Sequence, residues 1–582
     1  MTEPSRLEDI ERKRKEWEEG PLKQSLRRFG VEESPNRFYT PLDIKDYDFL
    51  NKVGFPGEYP FTAHNYAAEA PVKIDGQVDL VRAGAYSGYG TPEDTRDYYK
   101  YMQSRGRRGG PNIAFDLPTQ CGYDSDDPVS QGEVGKVGVA VDTLNDVEII
   151  YEAFTGDNEL DKIASNFTIN APANVILAMY VALAKKRGIP LDKLKGTPQN
   201  DILKEFVARG TYIFPPKPSM RMVRDTITYC RQHMRSMNAI SISMYHIREA
   251  GATAPQSLGF CFSNAIAYIQ LGIDAGLDVD DFIPCFTWLP QESGSMDILG
   301  EIAKARAARR LWAKIMRERF GSKDPKNWRG RGLGNANIGN YNRTVGRPLT
   351  NLTRVILGMV ACALAGGDPF SGAPPGGFPY DEALGLGHSL EAVQLNMDSD
   401  RIIRHEAKLR EVIDPFAGSY YIESLTNKIE EEALAIIRKI DAMGGAAAAI
   451  EQGYMQREVT NSAYERQKRI EKGEEIIVGE NAFLGEHELE VDVSRVIPHP
   501  YDPAKRADAE KKQLANLAKV KRERDDQAVQ ANLKRLADAA HDESINLIPP
   551  IFEAVEAYAS IGEICQVLRG VFGEYQSQGV GV

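Results

Sequence analysis

Apolar and polar positions alternate with two different periods along this chain. From about residue 80 onward, short runs rich in β-branched and aromatic residues are separated by longer stretches whose apolar positions recur at helical spacing. The runs at 112–116, 138–141, 167–170, 210–214, 239–245, 282–288 and 336–341 read as strands, with an eighth in 358–367 or near Tyr420. The stretches 173–187, 222–235, 265–275 and 296–319 read as helices. Strand alternating with helix over roughly 350 residues predicts βαβ units and a parallel sheet. Seven or eight such units favour a closed (β/α)8 TIM barrel over an open doubly wound sheet.

The flanks carry a different pattern. Leu7, Ile10, Trp17, Leu22 and Leu26 lie at roughly helical spacing among charges, and proline-rich chain follows. Residues 1–60 therefore read as an N-terminal arm, and 61–430 as the barrel. Residues 431–582 read as a helical C-terminal extension: an alanine-rich part, a break at Pro498, Pro500 and Pro503, a charged helix over 505–540, and a last apolar helix over 551–572 opened by Pro549-Pro550.

Composition removes several classes. A net charge of -12 argues against nucleic-acid binding. Six scattered cysteines without a CxxC pair favour reduced thiols and a cytoplasmic protein. The longest apolar run, 355–365, is too short to span a bilayer. Gly332-Leu333-Gly334 lacks the third glycine of a dinucleotide fingerprint, and Gly135-Lys136 is followed by valine, so no phosphate-binding loop is present.

The stretch 238–253, NAISISMYHIREAGAT, puts Tyr245 and His246 at the carboxyl end of an expected strand, where barrel enzymes gather their chemistry. Thr197 and Gln199 precede a helix, and Arg209 precedes an expected strand. An arginine aimed into a barrel needs an anion, because an unpaired buried guanidinium is costly. Asp124 and Asp126 look like metal ligands, but a DSD turn is more often a cap. No Ser-His-Asp order or HExxH motif can be assembled, and His246 alone among eight histidines has a strand-end context. A barrel so poor in acid–base groups is suited to holding a cofactor that supplies the chemistry.

The segments YPFT (59–62), AYSGYGTPEDT (85–95), AFDLPTQCGYDSD (114–126), GEVGKVGVAVDT (132–143), GTPQNDILKEF (196–206), GTYIFPPKPSM (210–220), SISMYHIREAGAT (241–253), GLDVDDFIP (276–284), ARAARRLWAKIMRERFG (305–321), YDEAL (380–384) and IDPFAGSYYIE (413–423) follow one another in family order. Together they resemble the large, catalytic subunit of adenosylcobalamin-dependent acyl-CoA mutases, the methylmalonyl-CoA mutase family. The resemblance implies a barrel with acyl-CoA along its axis and a corrin over its mouth. It also implies a radical isomerisation in which the thioester group migrates to the neighbouring carbon.

Residue by residue, the resemblance assigns Tyr86 and Tyr245 to the substrate acyl group, Arg209 to a substrate carboxylate, and His246 to the thioester carbonyl. It assigns Thr197 and Gln199 to the substrate, with Thr287 and the altered positions Tyr341 and Arg343 beside them. Phe115, Leu117, Glu249 and Gly346 match cobalamin-facing positions, Arg347 replaces a tryptophan there, and Glu382 matches the carboxylate that holds the adenosyl ribose. The pair Tyr86 and Arg209 implies a dicarboxylic acyl-CoA of malonyl/succinyl type.

Departures from the family are the segment GNYNRTVG (339–346), the rebuilt stretch 368–379, an insertion after Trp288, an altered stretch 70–84, and Cys285 in place of an arginine. They lead to the expectation of a bulky aryl or alkyl substituent, such as (2-aminobenzyl)malonyl-CoA/(2-aminophenyl)succinyl-CoA. Methylmalonyl-CoA and the branched isobutyryl- or 2-hydroxyisobutyryl-CoA are the alternative substrates. No DxHxxG motif occurs, so no cobalamin-binding domain and no metal ligand are expected in this chain. A separate small cobalamin-binding subunit would supply the cobalt ligand in a heterotetramer, with a G-protein chaperone as a further partner. Two rivals are a barrel hydrolase using Asp116 and Glu249, and a mutase-like scaffold without catalysis.

Overall fold

The longest unbroken pairing in the molecule joins four strands in sequence order, all parallel: β1 (Tyr86–Ser87), β2 (Asn112–Ala114), β3 (Ala164–Thr168) and β4 (Lys195–Pro198). β5 (Ile240–Ile242) and β6 (Phe286–Trp288) form a second parallel pair. The computed structural model describes residues 4–29, 38–68, 86–104, 109–289, 294–336, 338–344, 347–366, 398–485 and 503–577. Asn238 N donates to Gly196 O and Ser241 N to Gln199 O, each at 2.9 Å, which stitches β4 to β5. Beyond β6, Trp288 N donates to Arg331 O at 3.0 Å. Among the described residues no strand pairing joins the two ends of this array. What is seen is a parallel, mostly helical α/β arrangement, not a completed eight-stranded ring.

Helices occupy every connection. Pro92–Ser104 follows β1, Leu144–Tyr151 precedes β3, Ala173–Lys186 follows β3, Pro216–His233 follows β4, Ala254–Asp274 follows β5 and Ile298–Lys314 follows β6. Ala173–Lys186 is buried from Ala173 to Ala184 and ends on Lys185 and Lys186. Two cations there suit the negative end of the helix. Ala254–Asp274 starts with a capping box between Thr253 and Gln256.

Several expected strands are absent. The stretch 210–214 is irregular: Gly210 is left-handed at φ 86, and Pro215 and Pro216 lead into a helix. At 138–141 only Val139 pairs, bridging Gly90 and Phe115. Within 336–341 lies the start of the 3-10 turn Asn340–Asn342, while Pro348–Leu364 and Tyr420–Ala442 are helices. The expected boundary after residue 430 falls inside Tyr420–Ala442. That helix is clamped to Ile298–Lys314 by buried ion pairs of Arg306 with Glu423 and Arg310 with Glu430 at 2.6 Å, and Arg306 also pairs with Asp414 in the turn before it.

The C-terminal part is four helices, not two. Asp525 caps Asp526–His541 and separates it from Pro503–Glu523, and Ser560 caps Ile561–Phe572 and separates it from Ile548–Glu556. These helices pack into the main core through Leu533, Leu536, Ile551, Val555, Ile564 and Leu568. Their polar seam is built on acids. Asp124 accepts from Lys521 Nζ (3.0 Å), Ser560 Oγ (2.6 Å) and Gly562 N (2.7 Å). Gln513 Nε2 donates to Asp142 (2.7 Å) and Asp146 (3.2 Å). The DSD turn thus anchors helices, with Asp126 also held by Lys521 at 2.8 Å.

Candidate active site

In the parallel register Tyr86 stands opposite Asn112, Asn112 opposite Asn166, and Asn166 opposite Thr197. Partners in register point to the same face of a sheet. On β3, Asn166 and Thr168 are half-exposed while Ser165 and Phe167 are buried; on β4 Thr197 is half-exposed between buried Gly196 and Pro198; on β6 Thr287 lies between buried Phe286 and Trp288. One face of the sheet is thus core, and the other presents short polar side chains to an accessible space. Asn238 Nδ2 donates to Thr197 Oγ1 at 2.7 Å, and Thr287 Oγ1 donates to Arg331 O at 3.3 Å. The backbone of Tyr86 joins this row.

Beyond the carboxyl ends of β3, β4 and β5 lies a buried polar network. Asn170 Nδ2 donates to Gln199 Oε1 (2.9 Å) and to Glu205 Oε1 (2.7 Å), while Asn170 Oδ1 accepts Asp201 N (3.0 Å). Glu205 also accepts from Thr211 Oγ1 at 2.5 Å, pairs with the fully buried Lys204, and meets Arg209 Nη1 at 3.4 Å. Burial opposes ionisation of Glu205, but Lys204 and Arg209 outweigh it and hold the carboxyl below its usual range. Asp201 accepts from Tyr268 Oη (2.7 Å) and Ser243 N (2.8 Å), and burial pushes it up to about 6.

Arg209 does not precede a strand. It ends a π-helical turn, Glu205–Arg209, which Gly210 closes in the left-handed region. Its side chain is 24% exposed, neither sealed in nor free in solvent. Tyr245 and His246 lie past β5, in the first turn of the helix Tyr245–Glu249. Their rings meet edge to face at 5.1 Å, and His246 Nδ1 is 2.9 Å from Ser243 Oγ. Burial, then the charges of Lys204 and Arg209, push the imidazole well below its ordinary value, so it is neutral at physiological pH. Gln199, Arg209 and His246 therefore belong to one region, tied together through Asn170, Asp201 and Glu205.

The remaining expected positions divide. Phe115 is withdrawn into the core against Phe167 and offers no side chain to a ligand. Leu117 is half-buried at the start of the short helix capped by Asp116. Glu249 accepts Tyr341 N at 3.2 Å. The Tyr341 ring lies between the guanidinium groups of Arg466 (4.7 Å) and Arg248 (5.8 Å), which gives it a packing role. Arg343 is half-buried two residues on, and Arg347 packs beneath Gly479. Gly346, Glu382 and the Tyr86 side chain lie outside the described residues, as do 368–379 and all of 70–84. Asp116, the carboxylate a hydrolase would need, is fully buried and accepts Thr119 N (3.0 Å) and Gly135 N (2.7 Å). Burial raises it to about 6, and its function is capping. The hubs Asn170, Asp201, Lys204, Glu205 and Ser243 were not anticipated. For Asp201, Lys204 and Glu205 the one signal is a run of polar residues, QND and KE, between apolar ones; Asn170 and Ser243 carry none.

The fold is parallel α/β, with one strand face presenting short polar side chains and a neutral histidine and an arginine past the strand ends. A family profile described as methylmalonyl-CoA mutase matches residues 31–574, and the chain belongs to that family. It is 38% identical to the 2-hydroxyisobutanoyl-CoA mutase large subunit of Aquincola tertiaricarbonis, over 99% of this chain and 98% of that one. It is also 38% identical to the methylmalonyl-CoA mutase of Escherichia coli (strain K12), over 84% of this chain and 65% of that protein, and 34% identical to the mitochondrial enzyme of Homo sapiens, over 90% and 66%. The chain thus spans nearly all of the first relative and about two thirds of the others. It is an isomerase of a cobalamin-dependent acyl-CoA mutase family. None of the six cysteines is in a disulfide, and no described helix is long and apolar enough to cross a membrane.

Proposed function

We propose that this chain is the large subunit of an adenosylcobalamin-dependent mutase acting on a carboxylated acyl-CoA, a substituted malonyl/succinyl-type thioester with a bulky aryl or alkyl group. The observation that carries the reading is Arg209, partly exposed beside the neutral His246 in a network that fixes both. A guanidinium in that position needs an anionic partner beyond Glu205, whose oxygens already serve Lys204, Asn170 and Thr211. The row Asn112, Asn166, Thr197 and Thr287 supports an acyl chain lying along the inner face of a (β/α)8 barrel.

The residues present fit a corrin over the strand ends. Leu117 is a half-buried apolar group and Glu249 a half-buried acceptor, suited to the face and the amide rim of such a ring. When bound, the cofactor supplies a radical that removes a substrate hydrogen. The chain's own work is binding and orientation. Arg209 pairs with the substrate carboxylate. His246 hydrogen-bonds the thioester carbonyl, where charge shifts during migration. The buried network around Asn170 keeps water from reactive carbon centres. A small cobalamin-binding subunit in a cytoplasmic heterotetramer is part of the same reading, supported by the "large subunit" in the name of the relative from Aquincola tertiaricarbonis.

The end-to-end match with that relative favours a second reading, a branched hydroxyacyl-CoA substrate without a carboxylate. Reconstitution with a small subunit and adenosylcobalamin, assayed on a panel of acyl-CoA thioesters, decides between them. Turnover of substituted dicarboxylic thioesters above methylmalonyl-CoA and 2-hydroxyisobutyryl-CoA supports the proposal. Equal or faster turnover of either small substrate overturns it.

A further inference from the structure

We infer that Ser243 and Asp201 are positioning residues that fix the ring and the tautomer of His246, so that it faces its ligand as a neutral donor through Nε2–H. The inference rests on the reading of His246 as the group at the thioester carbonyl.

The geometry runs inward from the ring. His246 Nδ1 is 2.9 Å from Ser243 Oγ. Ser243 is fully buried, and this is the one hydrogen bond its hydroxyl makes among the described residues. If Nδ1 carried the proton, it would donate to Oγ and leave the serine O–H buried with no acceptor. An unsatisfied buried donor costs about 1–3 kcal/mol, which decides against that arrangement. The serine O–H therefore donates to a bare Nδ1, and the ring proton sits on Nε2. Burial, then Lys204 and Arg209, disfavour a second proton on the ring.

Asp201 keeps the serine in place. Ser243 N donates to Asp201 Oδ2 at 2.8 Å, and Tyr268 Oη donates to Oδ1 at 2.7 Å. The tyrosine oxygen in turn accepts Leu203 N at 2.7 Å, so its proton is directed onto Asp201. Asp201 N is held by Asn170, which also holds Gln199. One carboxylate thus links the turn after β4 to the turn after β5, and a shift in either would rotate the imidazole. The arrangement matches the way a partner on one ring nitrogen sets what the other can do.

The test is nitrogen NMR of the full-length chain labelled with 15N-histidine, with the His246 signals identified by their loss in His246→Gln. The expected result is a protonated Nε2 and a bare Nδ1 that do not titrate across the neutral range. Ser243→Ala should give a mixture of tautomers, and Ser243→Thr, which keeps a hydroxyl, should restore one. In the reconstituted enzyme Ser243→Ala should lower kcat about tenfold and leave KM within about twofold, the pattern of an interaction made in the transition state. A proton on Nδ1 in the parent chain, or a parent-like tautomer in Ser243→Ala, overturns the inference. If Ser243→Ala does not fold, the spectrum of the parent decides alone. The spectra stand apart from any substrate, so failure of the acyl-CoA reading would show in the thioester panel and leave them unchanged.

Discussion

Arg209 Nη1 and Asn170 Nδ2 converge on the same oxygen, Glu205 Oε1, at 3.4 Å and 2.7 Å. The shorter bond belongs to the amide, and the guanidinium is held at arm's length, free to turn its other donors toward a ligand. Replacing Arg209 with glutamine should lower kcat/KM for a carboxylated acyl-CoA about 100-fold, the worth of one charge-assisted hydrogen bond. An uncharged branched thioester should change by less than about threefold. Steady-state rates of the reconstituted complex on both substrates test this; an equal loss on both would remove the carboxylate from the account.

Lys204 is fully buried and depends on Glu205 for its charge partner. Glu205→Gln should therefore destabilise the chain by about 3–5 kcal/mol, the cost of an uncompensated buried cation. Adding Lys204→Met should recover part of that loss. Thermal unfolding of the single and double variants gives the comparison, and a double variant less stable than Glu205→Gln would contradict it.

The seam between the sheet and the C-terminal helices should respond to pH. Burial, then Asp146 and Asp124, push the Asp142 carboxyl well above its usual value, and burial raises Asp146 to about 6 from 3.8. A folded-state pKa above the unfolded one favours the native state while the acid keeps its proton. That contribution is complete below about pH 4 and is lost as pH rises through 6 and beyond. Asp142→Asn needs no proton, and Gln513 Oε1, which has no hydrogen-bond partner, can turn to accept its amide. The variant should match the parent at about pH 5 and exceed it by about 1 kcal/mol at about pH 8. A uniform loss at both pH values in thermal denaturation would refute the mechanism.

Gly196 sits in β4 at φ +149, and a Cβ there would lie 1.9 Å from Ser165 O on the neighbouring strand. Gly196→Ala should therefore part β3 from β4 and cost well over ~1 kcal/mol. The measurable sign is a lower unfolding temperature together with loss of activity, because Thr197 rides on the same strand and Gln199 directly follows it. Gly88, where a Cβ would lie 2.0 Å from Ala114 O, should behave alike.

The helices between strands were readable because their apolar positions are many and regular, as in ANVILAMYVALAKK, which is a helix over Ala173–Lys186. The strands were readable in part: β2, β5 and β6 lie within expected runs and β3 overlaps one, but β1 and β4 were not foreseen, and β4 shows why. Its sequence is Lys-Gly-Thr-Pro, in which Thr197 is the one good strand former and Gly196 allows a close backbone approach. The opposite error occurred at 210–214, where Thr-Tyr-Ile-Phe look like strand but form the irregular lead into Pro216–His233. His246 and Arg209 were singled out through motif resemblance, and the structure places them in one region. Asp201 and Ser243 were not, since nothing in their type separates a side chain that orients a histidine from one that caps a turn.

The last helix has a consequence for any shortened form of this protein. Arg569 donates to the carbonyls of Cys121 (2.7 Å) and Gly122 (3.0 Å), and Tyr575 N to Ile213 O (3.0 Å). The first pair fastens the turn that begins at Asp116, and the second fastens the chain four residues past Arg209. Trimming the tail before Arg569 would release both anchors at once. The damage would surface far from the cut, as a loosened grip on whatever anion the guanidinium meets.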